Sequence, residues 1–168
     1  MKNYYKFCSI CGGKLRLKKS NLHCVKCSFV NYRNPRPTAT AIILYKNKIL
    51  LTKRSISPFK GWWDFTGGFV DGGESPEEAL AREMKEEIGL TEYTKSFFGI
   101  YTGTYPVSFD PFYTFNVIYL VEPKKGARFI LDKKEISEMR WFSRKELPKK
   151  IAFDGNQKVI KDFIKIWK

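Results

Sequence analysis

The chain has 168 residues, 43% hydrophobic and 16% aromatic, and a formal net charge of +14. That length suits one main domain with a small attachment, and the composition excludes a disordered or collagenous chain. The charge is lopsided: residues 1–63 hold 14 Lys and Arg and no acidic residue, whereas the remainder holds 17 of each sign and sums to zero.

The start, Met1-Lys2-Asn3-Tyr4-Tyr5-Lys6, lacks the apolar stretch of a signal peptide. The most apolar run, residues 41–45, is far too short to cross a bilayer. A cytoplasmic protein with no membrane contact is therefore expected. Four cysteines follow as two Cys-x-x-Cys pairs, Cys8 with Cys11 and Cys24 with Cys27, twelve residues apart. Each pair forms a tight knuckle offering two thiolates, and two knuckles complete a tetrahedron around Zn²⁺. Iron is the alternative for four sulfurs. Gly12-Gly13 lets the backbone turn sharply after the first pair. Four protein ligands close the shell, so this zinc is expected to be structural. It supplies stability that some 30 residues cannot obtain from burial alone. His23, the single histidine, is read as a bystander.

Asn34-Pro35-Arg36-Pro37 reads as a stiff extended linker. It divides an N-terminal unit, residues 1–34, from a main domain, residues 38–168. Residues 38–45 are apolar and β-branched and predict a buried strand, Lys46-Asn47-Lys48 a turn, and residues 49–52 the partner strand. Ser75-Pro76-Glu77-Glu78 has the capping-box pattern with proline at the first helical position, and Gly89 is the matching stop. A helix over residues 76–88 follows from these signals. Further strands are predicted over residues 96–102, 114–121 and 138–142. A last helix over residues 156–167 places Val159, Ile160, Phe163, Ile164 and Trp167 on one face. Irregular alternation of strands and helices makes the fold α/β with a mixed sheet.

The first helix carries the chemistry. Glu83, Glu86 and Glu87 stand at i, i+3 and i+4 and share one helix face. Three like charges at that spacing repel, and a divalent cation removes the cost; oxygen ligands suit Mg²⁺ or Mn²⁺. Gly67-Gly68 permits close backbone approach, so that the Gly68 carbonyl can reach the same ion. Arg82 is placed to hold Glu78 or Glu74 by a charged hydrogen bond. Phe59, Trp62, Phe112 and Tyr113 are candidates to stack a base.

Residues 68–90 match Gly-x5-Glu-x7-Arg-Glu-U-x-Glu-Glu-x-Gly-U, with U a bulky aliphatic. Seven fixed identities at about one in twenty each give a chance match of order ~10⁻⁹ per position. The segment resembles the Nudix box. Met84 fills a position more often Ile, Leu or Val, and Thr66 stands where many members carry proline. Glu138-Met139-Arg140-Trp141-Phe142-Ser143 resembles a late segment of the same family. With its cysteine ribbon, the chain is similar to the ADP-ribose and NADH pyrophosphatase group.

The resemblance implies a Nudix fold, a mixed sheet sandwiched between helices, with an N-terminal zinc ribbon. It implies a metal-dependent hydrolase that cleaves the pyrophosphate of a nucleoside diphosphate linked to a moiety X. Gly68, Glu83, Glu86 and Glu87 are the implied Mg²⁺ or Mn²⁺ ligands, with Arg82 in support. Glu86, or a later carboxylate for which Glu135 is the candidate, is the implied proton acceptor. The Ser-Gln-Pro-Trp-Pro-Phe-Pro array of NADH-cleaving relatives is absent. Gly103-Thr104-Tyr105-Pro106 and Asp110-Pro111-Phe112-Tyr113 stand in that region, which counts against NADH. Two further readings stay open: an RNA cap-removing hydrolase gripping its transcript through the basic N-terminal third, and a non-catalytic nucleotide-sensing regulator. A homodimer is expected from relatives that pair.

Overall fold

The structure is a computed structural model that describes residues 5–107 and 111–167. Residues 1–4, at the start of the expected N-terminal unit, and Asp110 and Lys168 lie outside the described residues.

Three short strands form the first sheet: β1 Leu15–Lys18, β2 Asn21–Cys24 and β3 Val30–Asn31, antiparallel in that order. Its core is small, with Leu15 and Leu22 packed beside Cys8. Seven more strands form the second sheet: β4 Arg36–Tyr45, β5 Lys48–Arg54, β6 Trp63–Asp64, β7 Thr66–Phe69, β8 Tyr93–Tyr105, β9 Phe112–Pro123 and β10 Ile136–Phe142. The order is β10-β5-β4-β9-β8, with β6 on β5 and β7 on β4. β4 and β9 run parallel while the other pairs are antiparallel, so the sheet is mixed as expected.

Two helices cover the two faces. Along β4 the side chains alternate. Ala39, Ala41 and Ile43 pack with Ala79, Leu80, Met84 and Ile88 of α1 (Pro76–Ile88). Ile42 faces the opposite way, toward Val159, Ile160, Phe163 and Trp167 at α2 (Asp154–Ile166). β4 is thus buried on both sides at its centre, which is why residues 41–44 are continuously apolar. Full burial of a side chain such as Leu80 or Met84 contributes about 2 kcal/mol.

α1 is delimited as its sequence prescribes. The Ser75 hydroxyl accepts from the Glu78 N–H at 3.3 Å, and the Glu78 carboxylate accepts from the Ser75 N–H at 2.7 Å. Gly89 ends the helix at φ 67°, with Leu90 N–H donating to the Met84 carbonyl at 3.1 Å. The strands run longer than expected: β8 starts at Tyr93 and β10 at Ile136. Their extra residues carry mixed polarity, and their pairing is supplied by the neighbouring strand rather than by an apolar pattern of their own.

Candidate active site and cysteine cluster

α1 lies against β7, and β7 holds Gly67 and Gly68. At Gly67, φ 144°, a Cβ would collide with the Ala39 carbonyl, so the β7–β4 pairing requires glycine there. A Cβ on Gly68 would collide with the Glu83 carboxylate. The helix therefore presses its acidic face onto bare backbone. A cavity of about 370 Å³ opens at this junction, lined among others by Gly67, Gly68, Arg82, Glu83, Glu87 and Glu135.

The three helix glutamates do not sit alike. Glu83 is largely buried at 16% side-chain exposure, whereas Glu86 is 59% exposed at the rim. Glu87 lies deeper, where its carboxylate accepts the Gly67 N–H at 3.2 Å. Burial pushes the Glu87 carboxyl well above its ordinary range, and the nearby charges of Glu83, Asp64 and Glu135 push the same way. Burial also raises Glu83, against the pull of Arg82. Glu135 joins these groups from the segment just before β10, its backbone carbonyl accepting the Ser55 N–H at 2.8 Å.

Arg82 organises the helix side of the cavity. Its Nε and Nη2 clamp Glu74 at 2.7 and 3.0 Å. Nη1 donates to Glu83 at 2.8 Å and to Glu86 at 3.3 Å, and Nη2 also donates to the Phe69 carbonyl at 3.0 Å. Of the two partners expected for Arg82, Glu74 is the one reached; the Glu78 carboxylate is bound to Ser75. The Arg82 hydrogen bonds hold the Glu74 carboxyl down at about 2.

Opposite lies a constellation that the sequence reading missed. Asp64 is buried and accepts from Arg54 Nη1 at 3.1 Å, Asn156 Nδ2 at 2.6 Å and the Phe65 N–H at 2.9 Å. Burial nevertheless raises its carboxyl to about 6. The Oδ1 of Asn156, at the start of α2, is buried with no hydrogen-bond partner among the described residues. Asp64 is the first acidic residue in the chain and follows two tryptophans; that was the available signal.

The aromatic wall also differs from expectation. Phe69, Tyr105 and Phe153 line the cavity, with Tyr105 and Phe153 stacked at 5.3 Å and 22°. Phe59, Trp62, Phe112 and Tyr113, the expected stacking residues, are not among its lining. Phe59 packs behind Phe153 at 5.0 Å and touches Trp62 at 5.2 Å. Phe112 stacks on Tyr105 at 5.2 Å and 11°. Phe112 and Tyr113 instead line a second groove.

The cysteines converge. Their Sγ atoms all lie within 4.8 Å of one another, with Cys11–Cys27 at 3.4 Å, Cys11–Cys24 at 3.5 Å and Cys8–Cys27 at 3.9 Å. A disulfide needs about 2.05 Å, whereas a tetrahedron with 2.3 Å zinc–sulfur bonds has edges of about 3.8 Å. Backbone donors point at the sulfurs, Ile10 N–H to Cys8 and Lys26 N–H to Cys24. The Lys26 N–H leads in lowering the Cys24 thiol to about 6, against the opposing effect of burial. These four residues can bind a zinc ion. His23 sits within β2, its backbone paired with Arg16 and Val30.

The chain matches the family model described as the NUDIX domain over residues 35–163. It is 38% identical over 137 residues to an ADP-ribose pyrophosphatase of Methanocaldococcus jannaschii, covering 82% of this chain and 77% of that protein. It is 29% identical over 143 residues to the NAD-capped RNA hydrolase NudC of Haemophilus influenzae; the match takes in 83% of this chain but 52% of that one, about half its length. Among solved structures, a NUDIX hydrolase from Nitrosomonas europaea superposes with a TM-score of 0.70 at 28% identity, covering 95% and 90% of the two chains. The NUDIX domain of Shewanella oneidensis NrtR, solved with ADP ribose, superposes with a TM-score of 0.64 at 20% identity and shares the fold.

Proposed function

This chain belongs to the NUDIX domain family, and on that premise we propose that its cavity hydrolyses the pyrophosphate of an ADP-ribose-like nucleoside diphosphate. One observation carries the reading: five carboxylates, from Asp64, Asp71, Glu83, Glu87 and Glu135, line a single cavity whose other wall is aromatic. The carboxylates suit the metal end of a nucleotide, and the rings suit its base.

NUDIX enzymes use divalent metals. The donor set here fits one: burial raises Glu83 and Glu87, and the two arginines of the cavity, Arg82 and Arg54, are already bound to Glu74 and Asp64. Glu83, Glu86, Glu87 and the Gly68 carbonyl would hold Mg²⁺ or Mn²⁺. When bound, the metal neutralises pyrophosphate charge and makes water nucleophilic. Arg82 orients Glu83 and Glu86 through its Nη1. Glu135 accepts the proton of the attacking water; it is favoured over Glu86 because it lines the cavity, whereas Glu86 stands at the rim against Arg82. Phe69, Tyr105 and Phe153 hold the base.

The N-terminal unit, residues 1–34, is read as a zinc ribbon beside the hydrolase domain, residues 38–168, with Cys8, Cys11, Cys24 and Cys27 as ligands. No helix among the described residues is long and apolar enough to cross a membrane. Thiols at metal spacing suit the reducing cytoplasm.

The test is a substrate panel with Mg²⁺: ADP-ribose, NAD⁺, NADH, FAD, dinucleoside polyphosphates and nucleoside triphosphates, with Glu83→Gln as the blank. Release of AMP from ADP-ribose, lost at least 100-fold in Glu83→Gln, is expected. Nucleotide binding without turnover of any member would replace hydrolysis with the regulator reading.

A further inference from the structure

Between its acidic edge and its aromatic wall the cavity has a polar floor. Among the described residues seven polar or charged side chains are buried, and six of them line this cavity: Thr40, Thr52, Asp64, Thr114, Asn116 and Asn156. Buried polarity therefore follows the cavity rather than the strands, because interiors otherwise exclude such groups. Asp64 and Asn156 bond each other, and the Thr52 hydroxyl donates to the Asp64 carbonyl. The other three are less complete. Asn116 Oδ1 accepts the Thr38 hydroxyl, which leaves its Nδ2 as a donor. Among the described residues no protein group bonds that Nδ2 or the hydroxyls of Thr40 and Thr114, and none of the three is sealed off from the cavity.

The strand register gives the floor its place. Thr38 of β4 pairs with Phe69 of β7 on one side and with Asn116 of β9 on the other, and Thr40 pairs with Gly67. Directly paired residues share a sheet face, as do residues two apart on one strand, so Thr38, Thr40, Thr114 and Asn116 form one surface. It begins at the Phe69 ring and ends at Gly67, whose N–H is bound by the Glu87 carboxylate. Thr38 and Thr40 are about 7 Å apart along the strand. A nucleotide with its base on the rings and its pyrophosphate at the acidic edge lays its ribose across this floor. The chemistry agrees. A ribose hydroxyl both donates and accepts, so it can take the Asn116 Nδ2 proton and donate onward to a threonine hydroxyl.

We infer that Asn116, Thr40 and Thr114 bind the hydroxyls of the nucleoside ribose and make this site select ribonucleotides over 2′-deoxyribonucleotides. The direction in which the nucleotide lies rests on the hydrolase reading above. A 2′-deoxy sugar leaves the Asn116 donor facing a C–H group, and a buried donor without a partner costs more than the hydrogen bond itself contributes.

The experiment measures calorimetric binding of α,β-methylene-ADP and its 2′-deoxy analogue to the full chain with Mg²⁺. The methylene bridge cannot be hydrolysed, so binding is read without turnover, and ADP-ribose turnover is followed in parallel. The ribo form should bind about tenfold tighter or more. Asn116→Leu keeps the size of the side chain and removes its amide; the ribo preference should fall to about threefold or less. Thr114→Val keeps the β-branched shape and removes the hydroxyl, and it should lower the preference by about threefold. Thermal unfolding reports on both variants, and Thr114→Val carries the test if Asn116→Leu does not fold. A wild-type preference under tenfold, or one kept within twofold by every folded variant, overturns the inference. So do variants that alter the preference for the adenine probe over its hypoxanthine analogue and not the ribo preference, because the floor then reads the base. A ribo preference that behaves as expected in a protein with no ADP-ribose turnover would instead remove the hydrolase reading and leave the floor standing.

Discussion

Gly68 and Glu83 are in such close approach that the glycine's missing side chain is part of the acidic site: any Cβ at Gly68 would occupy the position of the Glu83 carboxylate. The backbone of β7 and the acidic face of α1 are therefore set as one unit, Gly67 N–H to Glu87 on one side and bare Gly68 to Glu83 on the other.

Gly68→Ala is the smallest perturbation of that unit. The added methyl must displace the Glu83 carboxylate, which also bonds Arg82 at 2.8 Å. The expected result is a fall in kcat of at least tenfold and a higher Mg²⁺ concentration for half-maximal rate, with the fold retained. Mg²⁺ titration of ADP-ribose turnover, with circular dichroism as control, checks this. Unchanged metal dependence would separate Glu83 from the metal.

Glu74 should make stability acid-sensitive. Its carboxyl is held at about 2 against an ordinary 4.5, chiefly by Arg82. A lowered folded-state value means that the stabilisation is present above pH 4.5 and is lost as pH falls toward 2. Glu74→Gln should therefore be less stable than wild type at pH 7, and the gap should close between pH 4.5 and 2. Urea unfolding at several pH values reads it directly. A gap that persists at pH 2 would mean that Glu74 acts through shape rather than charge.

Much of this could be read in the chain before any coordinates. Ser75, Pro76, Glu78 and Gly89 fix α1 by local hydrogen bonding, so its limits were legible to the residue. The cysteine spacing places four sulfurs together for the same local reason. Asp64, Asn156 and Phe153 were not legible, because their meeting depends on β6 and the start of α2 coming together from up to 92 residues apart. The same limit explains Phe59 and Trp62. Nothing in the sequence distinguishes a ring that lines a cavity from one that packs behind it, and Phe153 takes the position between Phe59 and the cavity.

The cysteine cluster should carry the stability of the N-terminal unit. Beyond the sulfurs, its core offers Leu15 and Leu22 as buried side chains, too little to offset chain entropy. Cys11→Ser should release about one equivalent of zinc per chain and unfold the segment, with ADP-ribose turnover reduced less than tenfold. Metal analysis and limited proteolysis of residues 5–34 provide the readouts. Full protection of that segment in a zinc-free variant would show that packing against the main domain suffices.

Tyr105 should act on binding rather than on chemistry. Its ring is stacked between Phe153 at 5.3 Å and Phe112 at 5.2 Å, so its position is fixed before any ligand arrives. A pre-placed ring adds stacking energy at little entropic cost, typically about 1–3 kcal/mol per base, or roughly 5- to 150-fold in affinity. In the proposed reading the pyrophosphate end would be held through a divalent metal on Glu83 and Glu87 of α1, so the loss should not reach the reacting atoms. Tyr105→Ala should raise KM for ADP-ribose within that range and change kcat less than threefold. Tyr105→Phe should restore KM, because the stack uses the ring and not the hydroxyl. Phe59→Ala, behind the cavity, should lower the melting temperature and leave KM nearly unchanged. If the two alanine variants behave alike, the wall of rings is packing and the base lies elsewhere in the cavity.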